Sequence, residues 1–432
     1  MTAGRIVVAG ASLAGLRTAD SLRAHGFDGE LVLIGDEPHE PYDRPPLAKA
    51  VLAGRSRTDR LALPSTRDLD ARRLSGVAAT GLDLAAREVR LADGRRIGFD
   101  ALVVATGARS RPWPVRREAA LRGVHLLRGI EDADRIRAGL IAGPRRVLVI
   151  GGGFTGSEVA SSCLELGLPV TVTLRGDAPM ASALGGTVGA VIGARQRAHG
   201  LDLRARTTVT ALLGDAEGRL RRARTSDGDE FEADLAVVAL GSVANTEWLA
   251  GAGLSADSRG VVCDAACRVV DAGGAVVPQV YAVGDVARWP HPHFDAGPEA
   301  LRHWGNAVGQ AEVAAYNLTH RDRRTATELP AFWSDQFGLA IKSVGLPHRA
   351  DRVVLTQGSF DRGPFVAAYG RAGVTVGAVS VNSPRVMDGY AALITERAPF
   401  PPVVQATDSP ETTVLDAGFP GAALATVHGG QS

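Results

Sequence analysis

The sequence predicts an α/β fold: two Rossmann-like dinucleotide-binding domains, one inserted in the other, followed by a small α+β C-terminal domain. Three observations carry this. Gly10-Ala11-Ser12-Leu13-Ala14-Gly15 directly follows the apolar run Ile6-Val7-Val8-Ala9. Gly151-Gly152-Gly153-Phe154-Thr155-Gly156 follows Val147-Leu148-Val149-Ile150 in the same way. After the second motif, short apolar runs ending in small-residue turns resume the first domain. Each motif lies between a strand and a helix, where backbone N–H groups at a helix N-terminus receive a pyrophosphate.

The elements follow in order. Residues 5–35 read as strand, helix, strand, and the second strand ends at Gly35-Asp36-Glu37. An acid about 20 residues beyond a glycine motif is placed to accept from a ribose hydroxyl, so Asp36 and Glu37 are the candidates. Residues 87–99 read as a hairpin turning at Asp93-Gly94. Ala101-Leu102-Val103-Val104 is a buried strand running into the turn Ala105-Thr106-Gly107. A Pro- and Arg-rich crossover over 109–114 leads to the second Rossmann unit, which begins near Arg145 and runs to Gly241. A further strand and turn, Val280-Tyr281-Ala282-Val283-Gly284-Asp285, precedes a helix expected over 298–318. The expected domains are 1–110 with 245–324, then 111–244 as the insertion. An α+β domain over 325–406 and a flexible tail over 407–432 complete the chain.

Composition narrows the function classes. A net charge of +1 argues against a dedicated nucleic-acid or membrane-surface protein. No run approaches the ~18 uncharged apolar residues of a membrane helix. Arg5 leads at once into the first strand, so no signal peptide is expected and the location is read as cytoplasmic. Three cysteines in 432 residues suit a reducing compartment. Cys263 and Cys267 are spaced Cys-x-x-x-Cys without a second pair, so no metal site is expected and two small packed residues are the simpler account. Cys163 stands alone. Of 48 basic residues only Lys49 and Lys342 are lysine. That singles them out, because only lysine offers a compact charge whose pKa burial can tune.

Further pieces join the two glycine motifs: Pro41-Tyr42-Asp43-Arg44-Pro45-Pro46-Leu47-Ala48-Lys49, Ala105-Thr106-Gly107-Ala108-Arg109, Gly284-Asp285-Val286-Ala287-Arg288, His303-Trp304-Gly305-Asn306-Ala307 and Phe332-Trp333-Ser334-Asp335-Gln336. Taken in this order, the chain resembles the flavoprotein reductases with two dinucleotide-binding domains, specifically the ferredoxin reductases of putidaredoxin-reductase type. The resemblance implies FAD in the first domain, NADPH or NADH in the inserted one, and a C-terminal domain beside the flavin. Gly10, Ser12, Ala14 and Gly15 would hold the FAD pyrophosphate, and Asp36 or Glu37 the adenosine ribose. Arg44 and Pro45 would line the flavin, and Asp285 would take a ribityl hydroxyl. Ala105, Thr106, Gly107, Arg109 and Arg128 would contact FAD, and Trp304 and Trp333 would shield the ring. Gly151, Gly153, Phe154, Thr155, Gly156 and Gly241 would serve the nicotinamide nucleotide. Lys49, near flavin N5, and Glu158, close enough to pair with it, are the implied catalytic residues; a structural salt bridge is the alternative. Simpler accounts stand beside two other roles: a helix cap for Asp285 and core packing for the tryptophans.

The sequence also departs from that family. Where NADH-using relatives carry glutamate, the second Rossmann unit has Leu174-Arg175-Gly176. An arginine there accommodates a 2′-phosphate, so the reading leans to NADPH, with a solvated surface arginine as the alternative. Arg302 occupies the family's glutamate position before His303. No cysteine precedes Cys163, so dithiol exchange in the first domain is not expected. His291 and His293 are read as loop residues that could approach the flavin. The leading function is electron transfer from NAD(P)H through FAD to an acidic ferredoxin serving a cytochrome P450 or other oxygenase, with Arg109, Arg111, Arg116 and Arg117 as candidate contacts. A flavoenzyme acting directly on a small molecule is the alternative. A non-catalytic redox sensor is a third reading, and Lys49 and Glu158 argue against it. The ferredoxin, the terminal acceptor and the oligomeric state are not legible.

Overall fold

The protein is described from a computed structural model over residues 4–294, 297–402 and 414–419. The chain divides into two compact units. One comprises 1–112, 126–137 and 240–332; the other comprises 113–125, 138–239 and 333–432.

The first unit is built on a six-stranded sheet in the order Arg268–Val270, Val276–Ala282, Ala101–Val104, Arg5–Ala9, Glu30–Ile34, Ala71–Leu74. Pairing is parallel except at the first pair. The central strands are continuous apolar runs because both faces are covered. Helix Leu13–Ala24 packs on helix Trp304–Thr319. The expected hairpin is present as Glu88–Leu91 and Arg96–Gly98, joined by Ala79–Asp83 into an antiparallel sheet. The helix expected from 298 starts only at Trp304. Glu299 is held extended instead, exchanging both backbone hydrogen bonds with Trp289.

The second unit holds a parallel sheet in the order Asp202–Arg204, Val170–Thr173, Val147–Ile150, Leu235–Val238, Val124–His125. It also holds most of a six-stranded sheet: Ala331–Gln336, Leu339–Gly345, Val374–Val381, Phe365–Arg371, Arg352–Gly358 and Leu415–Asp416. Tyr369 of that sheet donates its hydroxyl to the Leu184 carbonyl in helix Ala181–Ala198, 2.6 Å away.

These groupings differ from the expected boundaries. Most broadly, the residues from 333 onward cluster with the inserted domain instead of standing as a third domain, while 325–332 fall in the first unit. Residues 240–244 join the first unit, because Ser242–Ala244 pairs antiparallel with Ala108–Ser110. Residues 126–137 join it too: Ser110 Oγ donates to the Leu127 carbonyl at 2.7 Å, and Arg137 to the Leu52 carbonyl at 2.8 Å. Within the expected flexible tail, Leu415–Asp416 instead forms a strand on the edge offered by Arg352 and Val353. Gly186 N–H and Thr187 Oγ1 then bond the carbonyls of Gly418 and Asp416 at 2.9 and 2.7 Å. Residues 407–413 and 420–432 lie outside the described residues.

Candidate functional site

Two glycine turns, one in each unit, organise the candidate sites. Gly10 leaves its strand with φ +121°, and a Cβ there would lie 2.0 Å from the Ala105 carbonyl oxygen. A Cβ on Gly15 would lie 1.8 Å from the Gly10 carbonyl oxygen. Only glycine lets the strand, turn and helix close this tightly. Ser12 is the N-cap of helix Leu13–Ala24, but its hydroxyl makes no capping bond, so the first N–H groups keep their donors.

The turn is buttressed by distant segments of its own unit. Thr106 Oγ1 donates to the Asn245 carbonyl, and Asn245 Nδ2 to the Thr106 carbonyl, each at 2.8 Å. Gly284 packs so closely on Ala14 that a Cβ would approach within 2.9 Å of the alanine Cβ, and its N–H donates to Gln310 Oε1 at 2.8 Å. The next residue, Asp285, accepts from Arg128 Nη2 at 2.8 Å. Arg44 donates to the Arg128 carbonyl at 2.9 Å and pairs with Glu37, which also accepts from the Tyr42 hydroxyl. Burial opposes the charge on Arg44, but Glu37, Tyr42 and Asp285 together outweigh it and the guanidinium is held above its ordinary range. Burial pushes the Tyr42 phenol upward. Six candidates thus meet in one place: Gly10, Ala14, Glu37, Arg44, Arg128 and Asp285. Asp36 is exposed beside them. Trp304 is half-buried and donates from Nε1 to Asp43 Oδ1 at 3.1 Å.

Other candidates are placed differently. Arg109 forks onto Glu247 and donates to Asn245 Oδ1, so its charge supports the Thr106 turn. Gly241 belongs to the first unit, where its carbonyl accepts from Arg111 N–H at 2.9 Å. Pro45 opens the 3-10 turn Pro45–Ala48, and half-buried Lys49 closes it, donating its N–H to the Pro46 carbonyl. Arg302 donates to Ser242 Oγ at 2.9 Å and to the Arg259 and Asp285 carbonyls at 3.2 and 3.4 Å. Burial and the nearby Arg128 and Arg111 push its pKa below the ordinary arginine value. His291 is buried, with Nε2 2.9 Å from the Glu328 carbonyl and Nδ1 accepting the His293 N–H. It sits in a loop as expected from sequence, but buried rather than at the surface. Cys263 and Cys267 are buried and free, their thiols pushed up by burial. Among the described residues no group of His, Cys, Asp and Glu could hold a metal ion.

The second turn repeats the first. Gly151 has φ +115°, and a Cβ on Gly156 would lie 2.0 Å from its carbonyl oxygen. Gly153 caps helix Phe154–Glu165 and is exposed, as is Thr155, while Phe154 is half-buried. Leu174 is buried against Gly152, and Arg175 beyond it is exposed with no ion pair among the described residues. Arg206, whose backbone bonds Gly176, pairs with Asp177. Glu158, on the same helix, is 8% exposed and accepts from Ser334 Oγ at 2.6 Å. Trp333, the residue before Ser334, is 47% exposed and so is no core residue.

The model of the pyridine nucleotide-disulphide oxidoreductase family matches residues 4–311 of this sequence. The chain belongs to that family. Members bind FAD and take electrons from NAD(P)H. The first turn of this family member fits such a dinucleotide, with a glycine cradle closed to any side chain and helix donors left uncapped. A second family model, the reductase C-terminal domain, matches residues 331–413. Rhodocoxin reductase of Rhodococcus erythropolis is 37% identical over 407 residues, covering 94% of this chain and 92% of that one. Putidaredoxin reductase of Pseudomonas putida is 32% identical, covering 92% and 93%. The solved ferredoxin reductase for the CYP199A2 system of Rhodopseudomonas palustris superposes with a TM-score of 0.86 at 30% identity, covering 94% and 98%. A covalent putidaredoxin reductase–putidaredoxin complex matches with a TM-score of 0.85 at 32% identity, covering 92% and 94%. No helix among the described residues is long and apolar enough to cross a membrane.

Sequence reasoning missed the residues that support the site. Tyr42, Asn245 and Gln310 act on Glu37, Thr106 and Gly284. Tyr42 lies in the Pro41–Lys49 motif without a role of its own being expected for it, and Asn245 and Gln310 lie in no motif. Ser334 and Gln336 did leave a signal: polar residues at alternate positions of a short strand, both of them buried.

Proposed function

We propose that this protein is an FAD-dependent NAD(P)H:ferredoxin reductase that supplies electrons to an oxygenase. The observation that carries the reading is the pair of closed glycine cradles, each on its own sheet in a single chain. Relatives named rhodocoxin reductase and putidaredoxin reductase support it. Bound FAD would accept a hydride from the nicotinamide nucleotide and return the electrons singly to an iron–sulfur acceptor.

The residues divide the work. The uncapped N–H groups after Ser12 receive the pyrophosphate, helped by the helix dipole. Glu37 takes the adenosine ribose: Arg44 and Tyr42 fix its carboxylate, and each oxygen keeps a further lone pair. Asp285, oriented by Arg128, keeps acceptor capacity for a ribityl hydroxyl. Lys49 supplies positive charge in the flavin-binding unit, which favours negative charge developing on the ring. Glu158 supplies negative charge in the nucleotide-binding unit, which favours positive charge developing on the nicotinamide as hydride leaves. Arg175, exposed and without an ion pair, suits the 2′-phosphate of NADPH. Arg111 in the first unit, and Arg116 and Arg117 in the second, are each exposed and lack ion pairs among the described residues, so each suits a carboxylate of an acidic ferredoxin. Arg109 suits one less well because Glu247 already pairs with it. Buried free cysteines suit a cytoplasmic location, and a cytochrome P450 is the oxygenase we favour.

Anaerobic stopped-flow reduction with NADH and NADPH tests the reading. Rapid flavin bleaching, faster with NADPH, is expected, followed by cytochrome c reduction only when ferredoxin is added and weakening with salt. Very slow bleaching by both nucleotides would overturn it. Arg302, a part-buried cation whose hydrogen bonds among the described residues go to neutral acceptors, favours a second reading in which the flavoenzyme reduces a small anionic molecule directly. Turnover of such a substrate without ferredoxin would establish that instead.

A further inference from the structure

We infer that Ser334 is the positioning residue of Glu158, and that Gln336 and Gln196 aim its hydroxyl; the inference rests on the role proposed above for Glu158. A carboxylate on the second motif's helix that is 8% exposed has left most of its hydration behind. Such a group stays ionised only if donors replace the water. Ser334 Oγ is one, at 2.6 Å from Oε1, the length of a charge-assisted bond. The direction of that bond is fixed from behind. Gln336 Nε2, which can only donate, reaches Ser334 Oγ at 2.9 Å, so the serine proton is left for Glu158. The Gln336 amide is itself oriented, because its Oε1 accepts from Gln196 Nε2 at 2.8 Å. The chain Gln196, Gln336, Ser334, Glu158 therefore runs donor to acceptor in one sense throughout.

Gln336 also reaches Met180 Sδ at 3.5 Å, and Met180 N–H donates to the Gly152 carbonyl at 2.8 Å. One amide thus touches both a hydrogen-bond partner of Glu158 and the residue that pins the glycine turn. Plain packing would not build this. Gln196 and Ser334 have no exposed surface, Gln336 is 3% exposed, and Gln196 Oε1 has no partner among the described residues. Apolar side chains of similar size would fill the seam without leaving a buried acceptor unsatisfied. A directed polar chain ending on one carboxylate is explained if that carboxylate must be ionised and held in one rotamer.

The test compares Ser334→Ala, Ser334→Thr, Glu158→Gln and the Ser334→Ala/Glu158→Gln pair in the FAD-loaded protein. With the Ser334 donor removed, Glu158 should protonate at higher pH. Ser334→Ala should then slow flavin reduction about tenfold at the acid end of the profile and little at the alkaline end, with Ser334→Thr restoring the profile. Adding Ser334→Ala to Glu158→Gln should cost nothing more. Infrared difference spectra should show a protonated carboxyl in Ser334→Ala at a pH where the wild type has none, and Glu158→Gln should abolish that band. If Ser334→Ala does not fold, Gln336→Met, which removes the donor and keeps the volume, should shift the profile the same way. A pH-independent loss, or additive losses in the pair, would overturn the inference while leaving Glu158's role standing. A Glu158→Gln enzyme with wild-type reduction would overturn that role first.

Discussion

Around the first glycine turn two ion pairs are already formed, Glu37 with Arg44 and Arg128 with Asp285. Around the second, Arg175 is exposed and has no ion pair among the described residues. Yet the backbones are near copies, with φ +121° at Gly10 and +115° at Gly151. The difference fits the two occupants proposed above. A resident cofactor is held by a site organised before it arrives, because preorganised groups lose little freedom on binding. A nucleotide that must leave after each turnover is better met by mobile surface charge, whose contribution is small and screened by salt.

The sharpest way to break this comparison is to close each cradle in turn. A valine at Gly10 would drive its Cβ into the Ala105 carbonyl, and one at Gly156 into the Gly151 carbonyl. Gly10→Val should purify without flavin, read from the visible absorbance per chain. Gly156→Val should keep its flavin and lose reduction by NADPH about a hundredfold, equivalent to about 2.7 kcal/mol. Stoichiometric flavin in Gly10→Val would remove the first turn from the cofactor site.

Asp285→Asn comes next. It leaves Arg128 part-buried without its carboxylate, a loss of about 1–3 kcal/mol for a charged hydrogen bond. FAD should bind about five- to 150-fold more weakly by fluorescence titration. Combined with Arg128→Gln, the loss should be less than additive, because the two side chains act as one. Additive losses would mean that each contacts the cofactor independently.

Arg175→Glu addresses the open side. A carboxylate there would accept from a ribose diol and repel a 2′-phosphate. The NADPH to NADH ratio of reduction rates should fall about tenfold, about 1.4 kcal/mol, with flavin content unchanged. An unmoved ratio would show that Arg175 is a solvated surface residue and that the second site reads its nucleotide elsewhere.

How much of this was legible depends on the range over which each feature is encoded. The glycine turns, their strands and the Asp285 turn are local, and backbone sterics write them into a few consecutive residues. Glu37 could not be separated from Asp36 by sequence, because the choice depends on Arg44 and Tyr42 folding back to hold one carboxylate and leave the other exposed. Gly241 looked like part of the nucleotide domain until strand Ser242–Ala244 paired with Ala108–Ser110. The helix expected from 298 read well as a periodic pattern, but Glu299 is claimed by Trp289 across a loop. The strand at Leu415–Asp416 sits in a small-residue stretch that reads as tail, and only the open edge at Arg352–Gly358 gives it a place.

The smallest effect sharpens the comparison through pH. His291 and its acceptor, the Glu328 carbonyl, both lie in the first unit. Burial pushes the imidazole pKa below its ordinary value near 6.5, only partly countered by the bond to Glu328. In the unfolded chain the same ring takes a proton at its ordinary pKa. As pH falls through about 6.5 the unfolded state therefore binds the proton first, and stability declines until the folded pKa is reached. His291→Gln keeps a donor for the Glu328 carbonyl and removes the titration. Melting temperatures between about pH 7.5 and pH 5.5 should thus fall less steeply for the variant than for the wild type. In the wild type, flavin release on acidification should accompany the steeper fall, because the titrating group belongs to the unit that holds the paired site. Equal slopes in the two proteins would place the acid sensitivity elsewhere, with the exposed ion pairs as the next group to test.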